Sequence, residues 1–251
     1  MVKIRKHIPN LLTCFNLAFG FYACVLALSG NYFGSMIAVL IAAGFDFADG
    51  LAARLLNAFS PIGKDLDSLA DIVSFGVAPG MVLFNFLDRS QQTIDWNHPL
   101  TGNVFVVAAL AVPVFSALRL AKFNIDTRQS NSFIGLPVPA HALFWMSLVY
   151  TLSSAVEGNS ISGLFPRFIS FVLPGIDSLY LLIFVSLTAI CSSLLLISNI
   201  TMFSMKFASL LWKGNESRYT LIIASVVFIS CLGFPGITLT ILLYMFLSII
   251  Y

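Results

Sequence analysis

Charge is what this sequence has least of: 10% of its 251 residues are Asp, Glu, Lys or Arg, against 59% hydrophobic. A soluble domain carries about 25% charged residues, so a water-exposed globule is excluded and a membrane composition is indicated. Histidine is scarce, at 3 residues, and His7 and His141 read as interfacial or packing side chains rather than as catalysts. The 4 cysteines, Cys14, Cys24, Cys191 and Cys231, all fall in apolar stretches with no paired spacing. That excludes a disulfide framework and a thiolate metal site, and leaves buried reduced thiols. A formal charge of +2 is too small to argue for nucleic acid.

What remains is long hydrophobic segments. A hydrocarbon core roughly 30 Å thick needs about 20 apolar residues per helical crossing. The apolar stretches run Leu11–Ser29, Phe33–Ala58, Leu66–Leu87, Asn103–Lys122, Val138–Val156, Ser178–Ser198, Tyr219–Gly233 and Pro235–Ile250. They predict an all-α polytopic transmembrane bundle of about eight spans in a single membrane domain, 1–251. Gly233-Phe234-Pro235-Gly236 marks either a tight hairpin between two short helices or a kink in one long one, and the hairpin is favoured. Lys3 to Lys6 precede the first span with no small-residue cleavage site after it, so that span is read as retained.

The basic residues set an orientation. Lys3, Arg5, Lys6, Arg54, Lys64, Arg119, Lys122, Arg128, Lys206, Lys213 and Arg218 fall on one side, and only Arg89 and Arg167 on the other, a split of 11 to 2. The positive-inside bias places the N-terminus and the larger group in the cytoplasm, next to anionic headgroups.

The acids are distributed very unevenly. Of 11 acidic residues, Asp46, Asp49, Asp65, Asp67 and Asp71 crowd into one short region. An ionised Asp in a membrane helix costs roughly 2.5–3.5 kcal/mol, so such a group requires cations or a polar cavity. Asp46, Asp49, Gly50, Ala53 and Arg54 are spaced three or four apart and share one helix face. Ser60-Pro61 reads as the cap and first residue of the next helix, on which Gly63, Asp67 and Asp71 recur every four residues. Asp65 lies off that stripe, in a first turn favoured by the helix dipole. Two helices joined by a short turn are antiparallel neighbours, so their four carboxylates converge.

Four carboxylates match two divalent cations, and all-oxygen ligands suit Mg²⁺ or Mn²⁺, with Ca²⁺ possible; zinc is disfavoured. Two such ions hold a diphosphate and orient an in-line attack on phosphorus. Gly50 and Gly63 leave room for phosphate or sugar at the helix backbone, and Arg54 offers a forked donor pair to a phosphate oxygen. Glycines also mark close helix packing, and intramembrane acids also line cation pathways. A cation transporter therefore stays open as a different class, although alternation of Gly and Arg with the acids favours phosphate chemistry.

The pattern Asp46-x-x-Asp49-Gly50-x-x-Ala53-Arg54, eight residues, then Gly63-x-x-x-Asp67-x-x-x-Asp71 resembles the complete signature of the CDP-alcohol phosphatidyltransferases. Ile8-Pro9-Asn10 with Thr13 and Asn16, the stretch 66–79, Arg119–Asn124 and Gly135–Ala140 resemble the phosphatidylserine synthase branch of that family. The resemblance covers 8–140; residues 141–251 match only in being hydrophobic.

It implies a helical enzyme with a six-helix catalytic core, homodimeric, in the cytoplasmic membrane with its cavity facing the cytoplasm. Its donor would be CDP-diacylglycerol and its acceptor L-serine, with glycerol 3-phosphate or inositol as the sister alternatives. Asp46, Asp49, Asp67 and Asp71 would hold the metals, and Asp71 would also take the acceptor's proton. Gly50, Ala53, Arg54 and Gly63 would receive the CDP moiety, with added contacts from Asn10 and Thr13. Arg119, Lys122 and Asn124 are placed to meet the acceptor's carboxylate, and Ser74, one turn beyond Asp71, to line the same cavity. Arg119, Lys122 and Arg128 are read equally well as headgroup anchors.

Overall fold

A computed structural model describes residues 7–92, 104–125, 132–156, 178–203 and 211–250. Lys3, Arg5, Lys6, Arg128, Arg167 and Lys206, which entered the orientation argument, lie outside the described residues.

Each expected segment contains a helix. The first, α1, is Ile8–Leu28, with Pro9 in its first turn where no N–H is missed. It buries Pro9, Thr13, Asn16, Gly20, Ala23 and Ala27, a stripe at spacings of three and four. These mostly small side chains allow close approach to α2, Tyr32–Leu55. Asn31 caps α2 by accepting from the Gly34 N–H at 2.8 Å. After a turn containing Asn57 at φ 47°, Ser60 caps α3, Pro61–Asp71, accepting from the Gly63 N–H at 3.0 Å.

Beyond Asp71 the helix runs on through a π-helical turn, Ile72–Val77, into α4, Ala78–Gln92. Pro79 has no N–H to give the carbonyl four residues back, and just before it the ladder shifts, with the Ala78 N–H bonding to the Val73 carbonyl. Together Pro61–Gln92 form one 32-residue apolar helix. Then come α5, Val104–Ile125, α6, Val138–Val156, α7, Ser178–Ile197, α8, Glu216–Leu232, and α9, Pro235–Ile250.

Among the described residues, five helices are long and apolar enough to cross a membrane: Ile8–Leu28, Tyr32–Leu55, Pro61–Gln92, Val107–Ile125 and Leu179–Ile197. The protein is thus an integral membrane protein. Large apolar side chains such as Phe21, Phe47, Leu69, Val107, Phe184 and Val226 face outward, as lipid contact requires. Helix α6 carries several buried polar side chains, which its place inside the bundle supplies with partners on other helices. Ser147 bonds Thr238 of α9 at 2.7 Å, and the Trp145 indole donates to His141 at 3.1 Å and Ser192 of α7 at 3.2 Å. His141 is accordingly a fully buried packing residue. Helices α8 and α9, of 17 and 16 residues, meet at Gly233, whose φ of 68° breaks the helix and lets the two pack on one another as a hairpin.

One element departs from an all-helical reading. Ser132–Ile134 and Thr201–Phe203 pair as an antiparallel two-stranded ribbon, Phe133 opposite Met202. Gly135, at φ 80°, follows it, and the N–H groups of Gly135 and Leu136 bond the carbonyls of Ile200 at 2.8 Å and Leu195 at 3.1 Å. The start of α6 is thereby tied to the end of α7.

Candidate active site

The last turns of α2 and the helix α3 each pack on α1, and their acidic residues come together there. One carboxylate oxygen from each of Asp46, Asp49 and Asp67 lies within 4.8 Å of the others. Asp49 is buried, and the Thr13 hydroxyl donates to its Oδ2 at 2.5 Å. Asp67 Oδ1 is buried with no hydrogen-bond donor. Asp71 stands outside that group of three, one turn beyond Asp67, and its Oδ1 accepts from the Asn16 amide at 3.2 Å.

This arrangement fits a divalent cation. A buried carboxylate oxygen without a donor is costly unless something positive completes it, and the donors at Asp49 and Asp71 are neutral. The ligand atoms are all hard oxygens, and neither His nor Cys belongs to the group, as Mg²⁺, Mn²⁺ or Ca²⁺ prefer.

Two cavities flank the acids. The larger, about 260 Å³, is lined by six residues expected to receive the nucleotide, Asn10, Thr13, Gly50, Ala53, Arg54 and Gly63, with Asp49 and Asp67 at its inner end. Gly50 presents bare backbone there: a Cβ would meet only the Arg54 guanidinium, at 3.7 Å. Arg54 folds back along its helix, its Nε donating to the Gly50 carbonyl at 3.1 Å. Thr13, expected to touch the nucleotide, lines this cavity with its hydroxyl already engaged by Asp49.

The smaller cavity, about 150 Å³, is lined by Asp67, Ser68, Asp71, Arg119, Asn124 and Pro137–Pro139 at the start of α6. Arg119 is buried, with its guanidinium 5.4 Å from the centre of the Phe123 ring. Asn124 donates to Ser68 at 2.8 Å, while Lys64, which lines the larger cavity, donates to the Asn124 carbonyl at 3.3 Å. Asp67 belongs to both cavities.

Two expected acceptor contacts are placed elsewhere. Lys122 is exposed and lines neither cavity, because α5 meets the smaller cavity with Arg119, Leu120, Phe123 and Asn124, and Lys122 falls on the side of the helix away from them. Ser74 is fully buried, its hydroxyl donating to the Asn16 carbonyl at 3.0 Å. Conversely, Ser68 and the Pro137–Pro139 start of α6 are not singled out as site residues by the sequence. Ser68 directly follows Asp67, and Pro137–Pro139 lie in the Gly135–Ala140 stretch, which carried a resemblance but no role.

A helical membrane bundle with an all-oxygen acidic group between two cavities fits the class of intramembrane enzymes that work on a phosphate ester. The model of the CDP-alcohol phosphatidyltransferase family matches residues 6–190, and the chain belongs to that family of transferases. The family generally uses divalent metals, and Asp46, Asp49 and Asp67 are able to hold one.

Among relatives, the chain is 33% identical over 159 residues to a CDP-diacylglycerol–serine O-phosphatidyltransferase of Bacillus subtilis, covering 63% of this chain and 84% of that protein. It is 38% identical over 137 residues to a protein of the same name from Helicobacter pylori (strain J99), covering 54% of each. It is 31% identical over 156 residues to archaetidylserine synthase of Methanothermobacter thermautotrophicus, covering 59% of this chain and 61% of that one. The chain thus covers most of the Bacillus protein and less than two thirds of the other two.

Proposed function

We propose that this protein transfers the phosphatidyl group of CDP-diacylglycerol to the hydroxyl of L-serine, giving phosphatidylserine and CMP, with two divalent ions, Mg²⁺ or Mn²⁺. The observation that carries the proposal is the pair of cavities meeting at Asp67, one with a bare glycine backbone and an arginine, the other with a buried arginine and a second aspartate. The names of the relatives supply the serine.

Bound to Asp46, Asp49, Asp67 and Asp71, the ions would neutralise the pyrophosphate and stabilise charge on the leaving CMP oxygen. Gly50, Ala53 and Gly63 admit the CDP moiety against the backbone, Asn10 borders it, and Arg54 swings from the Gly50 carbonyl to a phosphate oxygen. Serine enters the smaller cavity, its carboxylate toward Arg119 and Asn124. Asp71 accepts the hydroxyl proton as the serine oxygen bonds to the lipid-side phosphorus and the bond from that phosphorus to CMP breaks. Held on opposite sides of Asp67, nucleophile and leaving group are placed for in-line displacement.

The excess of basic residues at the site end supports an N-terminus and site facing the cytoplasm, in the cytoplasmic membrane. One membrane domain, 1–251, with a six-helix core, working as a homodimer, completes the proposal. The test is CMP release from CDP-diacylglycerol by purified protein in mixed micelles, with serine, glycerol 3-phosphate and inositol compared. Release driven by L-serine and stopped by chelation supports the reading. Release driven by another alcohol removes serine and keeps the class, and release with none of them removes the class of reaction.

A further inference from the structure

Helix α1 contributes no acid, yet two of its buried polar residues, one turn apart, each hold one aspartate, Thr13 that of α2 and Asn16 that of α3. Asn16 is wholly buried and tied to the α3 side twice. Its amide nitrogen donates to Asp71 Oδ1 at 3.2 Å, and its backbone carbonyl accepts from Ser74 of the π-helical turn at 3.0 Å. Gly20 makes this closeness possible, since any side chain there would run into Ser74. The other end of the amide, Oδ1, is buried with no donor. A residue selected for packing would not leave half an amide unpaired in a membrane bundle, because that half costs stability and returns none. Only Asp71 fixes which way the amide points.

We propose that Asn16 is a positioning residue for Asp71: by occupying Oδ1 it fixes the carboxylate's rotation and leaves Oδ2 for the acceptor hydroxyl in the smaller cavity. This rests on the assignment of Asp71 as the proton acceptor. A carboxylate free to rotate spends much of its time with neither lone pair aligned, and loss of a hydrogen bond to a charged group corresponds to roughly ten- to hundredfold in rate.

The experiment compares full-length wild type with Asn16→Leu, of similar volume without a donor, and Asn16→Ser, whose short hydroxyl bonds back to its own helix. Ser35→Ala serves as control, because it deletes a buried 2.8 Å bond from α2 to the Ala23 carbonyl of α1, away from the site. Both Asn16 variants are expected to lose about ten- to hundredfold in kcat with serine, while KM for CDP-diacylglycerol stays within about twofold. Ser35→Ala is expected to lower the melting temperature and keep kcat. If Asn16→Leu does not fold, Asn16→Ser decides. Wild-type kcat in a folded Asn16 variant, or a loss expressed as raised KM for CDP-diacylglycerol with kcat unchanged, overturns the proposal. Full activity in Asp71→Asn would instead remove the reading of Asp71 on which it stands.

Discussion

Gly50→Ala should make this protein more stable and a worse enzyme at once. Gly50 sits in the helical interior of α2, where glycine costs about 0.5–1 kcal/mol relative to alanine. The added Cβ meets nothing within 4 Å except Arg54 Nη2 at 3.7 Å, an ordinary contact with the tip of a flexible side chain, so no clash offsets the gain. At the scale of a 150–250 residue protein that corresponds to a melting temperature raised by about 1–4 °C. The same methyl projects into the 260 Å³ cavity. A nucleotide packed against bare backbone would then be overfilled by one carbon, at a cost of about 1–3 kcal/mol, or roughly 5- to 150-fold in KM for CDP-diacylglycerol. Thermal unfolding of the ligand-free protein and CMP release against donor concentration measure the two effects. A lowered melting temperature would refute the packing argument, and an unchanged KM would refute the seating of the nucleotide. Gly63→Ala is the internal contrast: its Cβ would fall 2.9 Å from Ser60 Oγ and 3.0 Å from Asn10 Oδ1, so it disturbs the α3 cap and destabilises.

Asp67→Asn is expected to reduce turnover by more than about a hundredfold, ~3 kcal/mol of barrier. The metal-free melting temperature should hold or rise, since a like charge leaves the group with Asp46 and Asp49; retained turnover would contradict the role given to Asp67. At the other cavity, Arg119→Gln is expected to raise KM for serine about ten- to hundredfold, and Arg119→Lys less, because the charge survives without the planar fork. Lys122→Ala, altering an exposed residue outside both cavities, should leave that KM within about twofold; the reverse ranking of the two positions would mean the serine carboxylate sits elsewhere.

The acidic stripes were legible in the sequence because helix geometry is local. Spacings of three and four from Asp46 to Arg54 and from Gly63 to Asp71 fix which side chains share a face, and Ser60-Pro61 fixes where the second helix starts. The same rule misplaced Ser74. Three residues beyond Asp71 on an α-helix it would share the Asp71 face, but the chain there is π-helical, and the wider turn swings Ser74 onto α1 instead. Its cause, Pro79, stands five residues further on. Lys122 fails for a different reason: spacing alone leaves open which side of α5 meets the site, and the cavity takes Arg119, Leu120, Phe123 and Asn124, leaving Lys122 on the other side. The ribbon of Ser132–Ile134 with Thr201–Phe203 joins two three-residue segments far apart in sequence, too short for any periodicity to announce. Through Gly135 it seats the Pro137–Pro139 wall of the smaller cavity, which is why that wall had no legible role.

The distinction between holding a cation and conducting one is drawn by what lies beyond the aspartates. A transport pathway needs polar groups at successive depths across the bilayer. Following α1, α2 and α4 away from the acids, the fully buried positions include Ala23 and Ala27, Met36 and Val39, and Leu83 and Leu87, and the polar Ser35 among them spends its hydroxyl on the Ala23 carbonyl at 2.8 Å. At the far end the closing contacts are hydrogen bonds that finish helix α1. Asn85 donates to the Leu28 carbonyl at 3.3 Å and Arg89 to the Ser29 carbonyl at 3.1 Å, satisfying acceptors that a helix end leaves open. A cation reaching Asp46, Asp49 and Asp67 therefore meets a packed apolar floor, and the way in is the way out. Such a floor opposes transport and favours group transfer, because it would confine charge, nucleotide and acceptor to the two cavities that meet at Asp67, where each electrostatic contact counts for more than in open water.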